Sequence, residues 1–206
     1  NDYLLQSYEI AVKENGERDR RFRIEHAQHL SPSALTRFAS QHVIPSMHPY
    51  HTIDDGRWAS KRLDADRLSR SYAFGTLLKS GATLTFGSDW TVAPLDALQG
   101  IYAAVTRRTL DDRHPQGWFP EQKLTVEQAL RCYTTNNAYA GFQEKKLGME
   151  ESARTWGAVM QAPLALASVE YMTKGKDSPG WVTKGYEAAK DWYTGEKTSP
   201  ALSGVG

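Results

Sequence analysis

Arg23-Ile24-Glu25-His26-Ala27-Gln28 and Phe86-Gly87-Ser88-Asp89 bracket the part of the chain whose reading decides its fold. In each, a short apolar stretch runs into a residue type that binds metals. Phe22 to Glu25 leads to His26, and Thr83-Leu84-Thr85-Phe86 leads to Asp89. Between them, Val43-Ile44-Pro45-Ser46-Met47 leads to His48 and His51. Short apolar runs of this kind read as strands. Three successive strands thus deliver His, His and Asp at their C-terminal ends, where an α/β barrel keeps its chemistry.

The segments around these strands read as helices. Tyr3 to Lys13 repeats Leu4, Tyr8, Ala11 and Val12 at helical spacing, with Gly16 as a stop. Ser31-Pro32 opens a helix with Leu35, Phe38 and Ala39 on its apolar face. Pro49 to Asp66 reads as a long connection carrying Gly56 and Trp58. A helix is expected from about Ala65 to Lys79, stopped by Gly81. Another spans Leu95 to Arg107, with Leu95, Leu98, Tyr102 and Val105 on one face. A polar loop runs to Pro120, and Thr125-Val126-Glu127-Gln128 is a capping box opening a helix to about Tyr139. Strands alternating with helices imply parallel pairing and an α/β class.

From Gly148 the character changes. Gly and Ser become frequent, and Trp156, Tyr171, Trp181, Tyr186, Trp192 and Tyr193 are scattered. Residues 1–147 therefore read as one barrel-derived domain and 148–206 as an irregular tail. Within the tail, helices are expected over Val159–Met172 and Tyr186–Tyr193, and disorder over Thr198–Gly206.

Composition narrows the class. A 40% apolar fraction can fill a core, and a net charge of +1 gives no strong pull toward nucleic acid or anionic membranes. No stretch approaches the roughly 20 apolar residues of a membrane helix. The single Cys132 excludes an internal disulfide and suits a reducing compartment, so a cytoplasmic setting is expected. The chain begins at Asn1 inside a helical pattern, which reads as part of a longer protein. A barrel cut in this way would leave an open sheet edge, and association is expected of it.

Imidazole and carboxylate are the usual ligands of zinc and similar divalent ions. His26 alone reads first as a buried, hydrogen-bonded histidine, and Asp89 alone reads equally as a turn or N-cap aspartate. Together at successive strand ends they point to a metal-dependent hydrolase. In that chemistry a bound divalent ion lowers the pKa of a coordinated water toward about 7. An Asp beside the water takes its proton and later gives it to the leaving amine. A nearby His polarises the scissile carbonyl. No nucleophile elbow, phosphate-binding glycine loop or CxxC pair competes.

These residues resemble the amidohydrolase superfamily and, within it, the amidohydrolase-3 family that includes N-substituted formamide deformylases. The resemblance runs from about Asn1 to Gly148. It rests on Arg23 to Gln28, Ser46 to His51, Trp58-Ala59 with Arg62-Leu63, Phe86 to Asp89, Tyr102 to Arg107 and Leu124 to Leu130. It implies a (β/α)8 TIM barrel, of which this chain holds about strands 6 to 8 with flanking helices. It implies hydrolysis of non-peptide carbon–nitrogen bonds with a divalent metal, zinc first, as one or two ions in the full-length enzyme.

On the resemblance His26 is a metal ligand, and Asp89 both binds metal and acts as a catalytic residue. His51 is catalytic and contacts substrate; His48 stands where the family more often has Gln and joins the substrate-contacting residues. Trp90 is a further substrate contact. The partners implied are a small-molecule amide substrate and the N-terminal half of the barrel. The family's first-strand His-x-His, fourth-strand ligand and fifth-strand His are absent from this chain. After Leu147-Gly148 the family's Gly-Lys-x-Ala-Asp turn is replaced by Met149-Glu150-Glu151-Ser152-Ala153-Arg154, by divergence or by a reading-frame error. The competing readings are a metal-dependent isomerase or phosphoester hydrolase on the same barrel, and a non-catalytic binding fragment.

Overall fold

The computed structural model describes residues 1–147. The expected helices, irregular tail and disordered end between 148 and 206 lie outside the described residues. In chain order the elements are α1 (Asp2–Asn15), β1 (Arg23–Glu25), α2 (Ala34–Ser40), β2 (Ile44–Met47), α3 (Pro49–Asp55), α4 (Ala65–Ser69), α5 (Phe74–Lys79), β3 (Thr85–Phe86), α6 (Ala97–Thr106), α7 (Val126–Tyr133) and α8 (Thr135–Ala140).

The three strands form one parallel sheet in the order β1-β2-β3. Arg23 pairs with Ile44, Glu25 with Ser46, Ser46 with Thr85 and Met47 with Phe86. The α/β class read from the sequence is the one observed. Parallel strands need crossovers, and α2 and α5 supply them, packing against each other on the sheet. Phe38, Ile44, Met47, Phe74, Leu77 and Leu84 are fully buried between these layers. Burial of each contributes about 1.5–3 kcal/mol. The Phe74 ring meets Phe86 edge-on at 5.1 Å, and Phe86 meets Tyr133 at 5.5 Å.

The sheet edges are not bare. Tyr8 of α1 donates its hydroxyl to the Arg23 carbonyl at 2.9 Å. On β3, the side-chain amides of Asn136 and Asn137 donate to Leu84 O at 2.8 Å and Phe86 O at 2.9 Å. Side chains thus take up edge carbonyls that would otherwise template a further strand. The strands' apolar residues Ile24, Ile44 and Phe86 are buried, and exposed large apolar groups include Tyr3, Leu4 and Ile10 on α1, Trp58, and Trp90, Val92 and Leu95 after β3.

Several sequence-based boundaries need correction. Pro49–Asp55, read as part of a long connection, is α3, with Pro at the first turn where its missing N–H costs nothing. The helix expected over 65–79 is two, α4 and α5. Between them Tyr72 takes a left-handed φ of 50°, and Ser71 bridges His29 across the sheet's end. The buried face of α6 is Gly100, Ile101, Ala103 and Ala104, and not the Leu95, Leu98, Tyr102 and Val105 face. The helix expected to reach Tyr139 divides at Thr134 into α7 and α8. The turn there aims Asn136 and Asn137 at β3.

The capping box at α7 is present in full. Thr125 Oγ1 accepts from Gln128 N at 3.1 Å, and Gln128 Oε1 accepts from Thr125 N at 2.9 Å. Thr125→Ala is expected to destabilise the chain by about 0.5–2 kcal/mol. Urea unfolding of both forms checks this; an unchanged midpoint would mean the box carries no stability.

Candidate metal centre

His26 directly follows β1, His48 directly follows β2, and Asp89 lies just beyond β3. In-register parallel strands bring all three ends to one rim. His48 is also the N-cap residue of α3, so His51 sits in that helix's first turn, facing the same rim. The sharp turns fall on the candidate residues themselves. His26 has φ 66°, Ala27 φ 40° and Asp89 φ 58°. Left-handed conformations at non-glycine residues are costly and cluster at functional sites. The turn after β3 is thus made by Asp89 itself. Gly87 instead continues the ladder, donating its N–H to Met47 O at 3.0 Å.

The donor atoms of His26, His48 and Asp89 all lie within 4.8 Å of one another. Asp89 Oδ2 stands 3.9 Å from His26 Nδ1 and 3.6 Å from His51 Nε2. The His26 and His48 rings meet edge-on at 4.7 Å, and the His48 and His51 rings lie 5.3 Å apart. The three histidines and Asp89 singled out in the sequence therefore converge. His48, placed there among the substrate contacts, stands inside the closest group. Trp90 is 67% exposed, so it borders the rim without packing into it.

The donor set fits a divalent ion. His48 Nδ1 and His51 Nε2 are buried with no hydrogen-bond partner. Leaving a buried polar atom unmet costs about 1–3 kcal/mol; a cation held by His26, His48 and Asp89 would meet that need at His48 and leave His51 Nε2 open to a further partner. Burial pushes the pKa of both His48 and His51 below the usual value, against the opposing pull of Asp89. Both rings are therefore neutral near pH 7, the form that ligates metal or donates one N–H.

These shifts set a pH dependence. His29, His48 and His51 all have folded-state pKa values lowered from 6.5, with burial the first cause in each. The unfolded chain then takes up protons before the folded one does. Stability is full above about pH 6.5 and declines as pH falls through that value. The melting temperature of the metal-free chain is expected to drop between about pH 7.5 and about pH 5.5, and Gln at the three positions should flatten the slope. A pH-independent melt across that window would contradict the burial argument.

Sequence reading missed the support behind the rim. Asp55, at the end of α3, accepts hydrogen bonds from Gln28 Nε2 at 2.6 Å and from the Tyr72 hydroxyl at 2.5 Å. Asp55 lies one turn beyond His51, a relation visible only once α3 is known to be a helix.

Comparison with known proteins places the chain in a family. Residues 2–152 match the model of the Amidohydrolase family. The chain is 40% identical over 149 residues to Protein LONG AFTER FAR-RED 3 of Arabidopsis thaliana, covering 72% of this chain and 25% of that protein. It is 30% identical over 145 residues to "Putative amidohydrolase YtcJ" of Bacillus subtilis (strain 168), covering 70% and 27%. Among solved structures, a metal-dependent hydrolase from Pyrococcus horikoshii OT3 superposes with a TM-score of 0.60 at 27% identity, over 69% of this chain and 27% of that one. A metal-dependent hydrolase from Pyrococcus furiosus gives 0.53 at 28% identity, over 68% and 28%. The chain spans about a quarter of each relative, as those shares state.

Proposed function

Since the chain belongs to the Amidohydrolase family, we propose that it forms part of a metal-dependent hydrolase cleaving non-peptide carbon–nitrogen bonds of small amides. The observation that carries the reading is the mutual approach of His26, His48 and Asp89 donor atoms within 4.8 Å. In this reading β1, β2 and β3 are the sixth, seventh and eighth strands of a (β/α)8 barrel. The remaining strands, contributed by the N-terminal half, complete the ligand set.

His26, His48 and Asp89 would hold the ion, with zinc favoured by the nitrogen-rich donor set. When bound, it supplies Lewis acidity that brings a water's pKa toward about 7. Asp89 accepts the water's proton at Oδ2, the oxygen facing both His26 and His51. The same carboxyl then delivers that proton to the leaving nitrogen. His51, neutral by burial, donates its N–H to the scissile carbonyl oxygen and steadies the charge that develops there. Trp90, exposed beside Asp89, offers an apolar wall to the substrate.

His51→Ala should lower turnover by about 10²–10³-fold, the usual loss of one oxyanion donor, with metal content unchanged. The experiment is metal analysis alongside hydrolysis of N-acyl and formamide substrates by the longer protein. Hydrolysis that survives complete chelation would defeat the metal-dependent reading. Metal lost in His51→Ala would move His51 among the ligands.

A further inference from the structure

We propose that Asp55 is a positioning residue: its carboxylate locks the segment carrying His26 onto the helix carrying His48 and His51. This rests on the reading of His26, His48 and Asp89 as the metal site. Three segments meet at one oxygen. Asp55 Oδ2 accepts from Gln28 Nε2 at 2.6 Å and from Tyr72 Oη at 2.5 Å. Gln28 lies two residues after His26 on the strained turn at the end of β1. Asp55 lies four residues after His51, on the same face of α3.

Tyr72 is the fixed post of this clamp. It is buried, and its backbone N–H donates to Gln28 O at 2.8 Å. Its carbonyl accepts from the buried guanidinium of Arg107 at 3.0 Å, and Arg107 in turn donates through Nε to Trp118 O at 2.6 Å. His29 Nδ1 and Ser71 Oγ, 2.8 Å apart, join the same two segments. The phenol is therefore anchored from behind while it holds the carboxylate from the front.

The arrangement answers a mechanical need. Residues 26 and 27 both hold left-handed backbone, a state that persists only where surrounding contacts over-determine it. The Gln28–Asp55 bond ties that turn to α3, and so sets how far His26 stands from His48. Partners that orient ligands in this way typically change metal affinity about 10–100-fold when removed.

The test compares wild type, Asp55→Ala and Asp55→Asn in the full chain. Asn keeps an oxygen that can accept from both donors, whereas Ala removes it. In hydrogen–deuterium exchange on the metal-free protein, Asp55→Ala is expected to speed exchange over residues 26–30 and 49–55 by about tenfold or more, leaving α7 protected. Asp55→Asn should remain close to wild type. In a cobalt(II) titration, Asp55→Ala should bind about 10–100-fold more weakly with altered d–d bands, and Asp55→Asn should recover both.

Unchanged exchange in Asp55→Ala overturns the clamp. Faster exchange with undiminished cobalt affinity overturns the positioning role. Asp55→Asn behaving like Asp55→Ala overturns the hydrogen-bond account. If wild type binds no cobalt, the three residues of this chain do not hold a metal by themselves, and the exchange data alone decide the clamp.

Discussion

Under the proposed function, replacing Asp89 with Asn is expected to cut hydrolytic turnover by at least about 10²–10⁴-fold, the loss typical of a missing general base. The substitution keeps size and shape but removes the charge and the basic oxygen. Asp89 Oδ2 is the atom that His26 and His51 both face, at 3.9 and 3.6 Å. A neutral amide there can neither take the water's proton nor balance the ion's charge. Metal affinity and turnover should therefore fall together. Steady-state rates beside metal analysis check this. Near-wild-type turnover in Asp89→Asn would contradict the assigned proton path.

The second large effect separates two histidines only three residues apart. His48→Ala is expected to weaken divalent-metal binding more than about 100-fold, because losing an outer partner of a ligand already costs about 10–100-fold. His48 is buried, its Nδ1 lacks a hydrogen-bond partner, and it belongs to the group within 4.8 Å. The fold should tolerate the change, since neither ring nitrogen is a structural tie to a neighbouring side chain. Calorimetric zinc titration of His48→Ala and His51→Ala decides between them. Strong binding by His48→Ala would remove it from the ligand set.

Much of the rim was legible because strand ends are local features. An apolar run followed by His or Asp shows both the strand and its exit residue, and parallel pairing then gathers the exits. The α7 capping box was legible for the same reason: its whole hydrogen-bond pattern lies within four residues. What failed was set by distant contacts. Tyr72 breaks the expected 65–79 helix because its N–H is used by Gln28 O, far away in sequence. Thr134 divides α7 from α8, and Asn136 and Asn137 then reach the edge of β3.

The α3 helix was missed because Pro49 and Gly56 punctuate the segment as they would a loop. Both instead mark its ends. That one omission hid Asp55, whose relation to His51 is a helical spacing, and it also hid the place of His48 at the cap. No helix among the described residues is long and apolar enough to cross a membrane.

Zinc-edge anomalous diffraction from zinc-soaked crystals of the protein tests the central claim most directly. The account predicts a peak at the strand-end rim within bonding distance of His26, His48 and Asp89, about 2.0–2.2 Å for nitrogen and oxygen ligands. A rim with no peak, or zinc bound only by residues elsewhere, would contradict it.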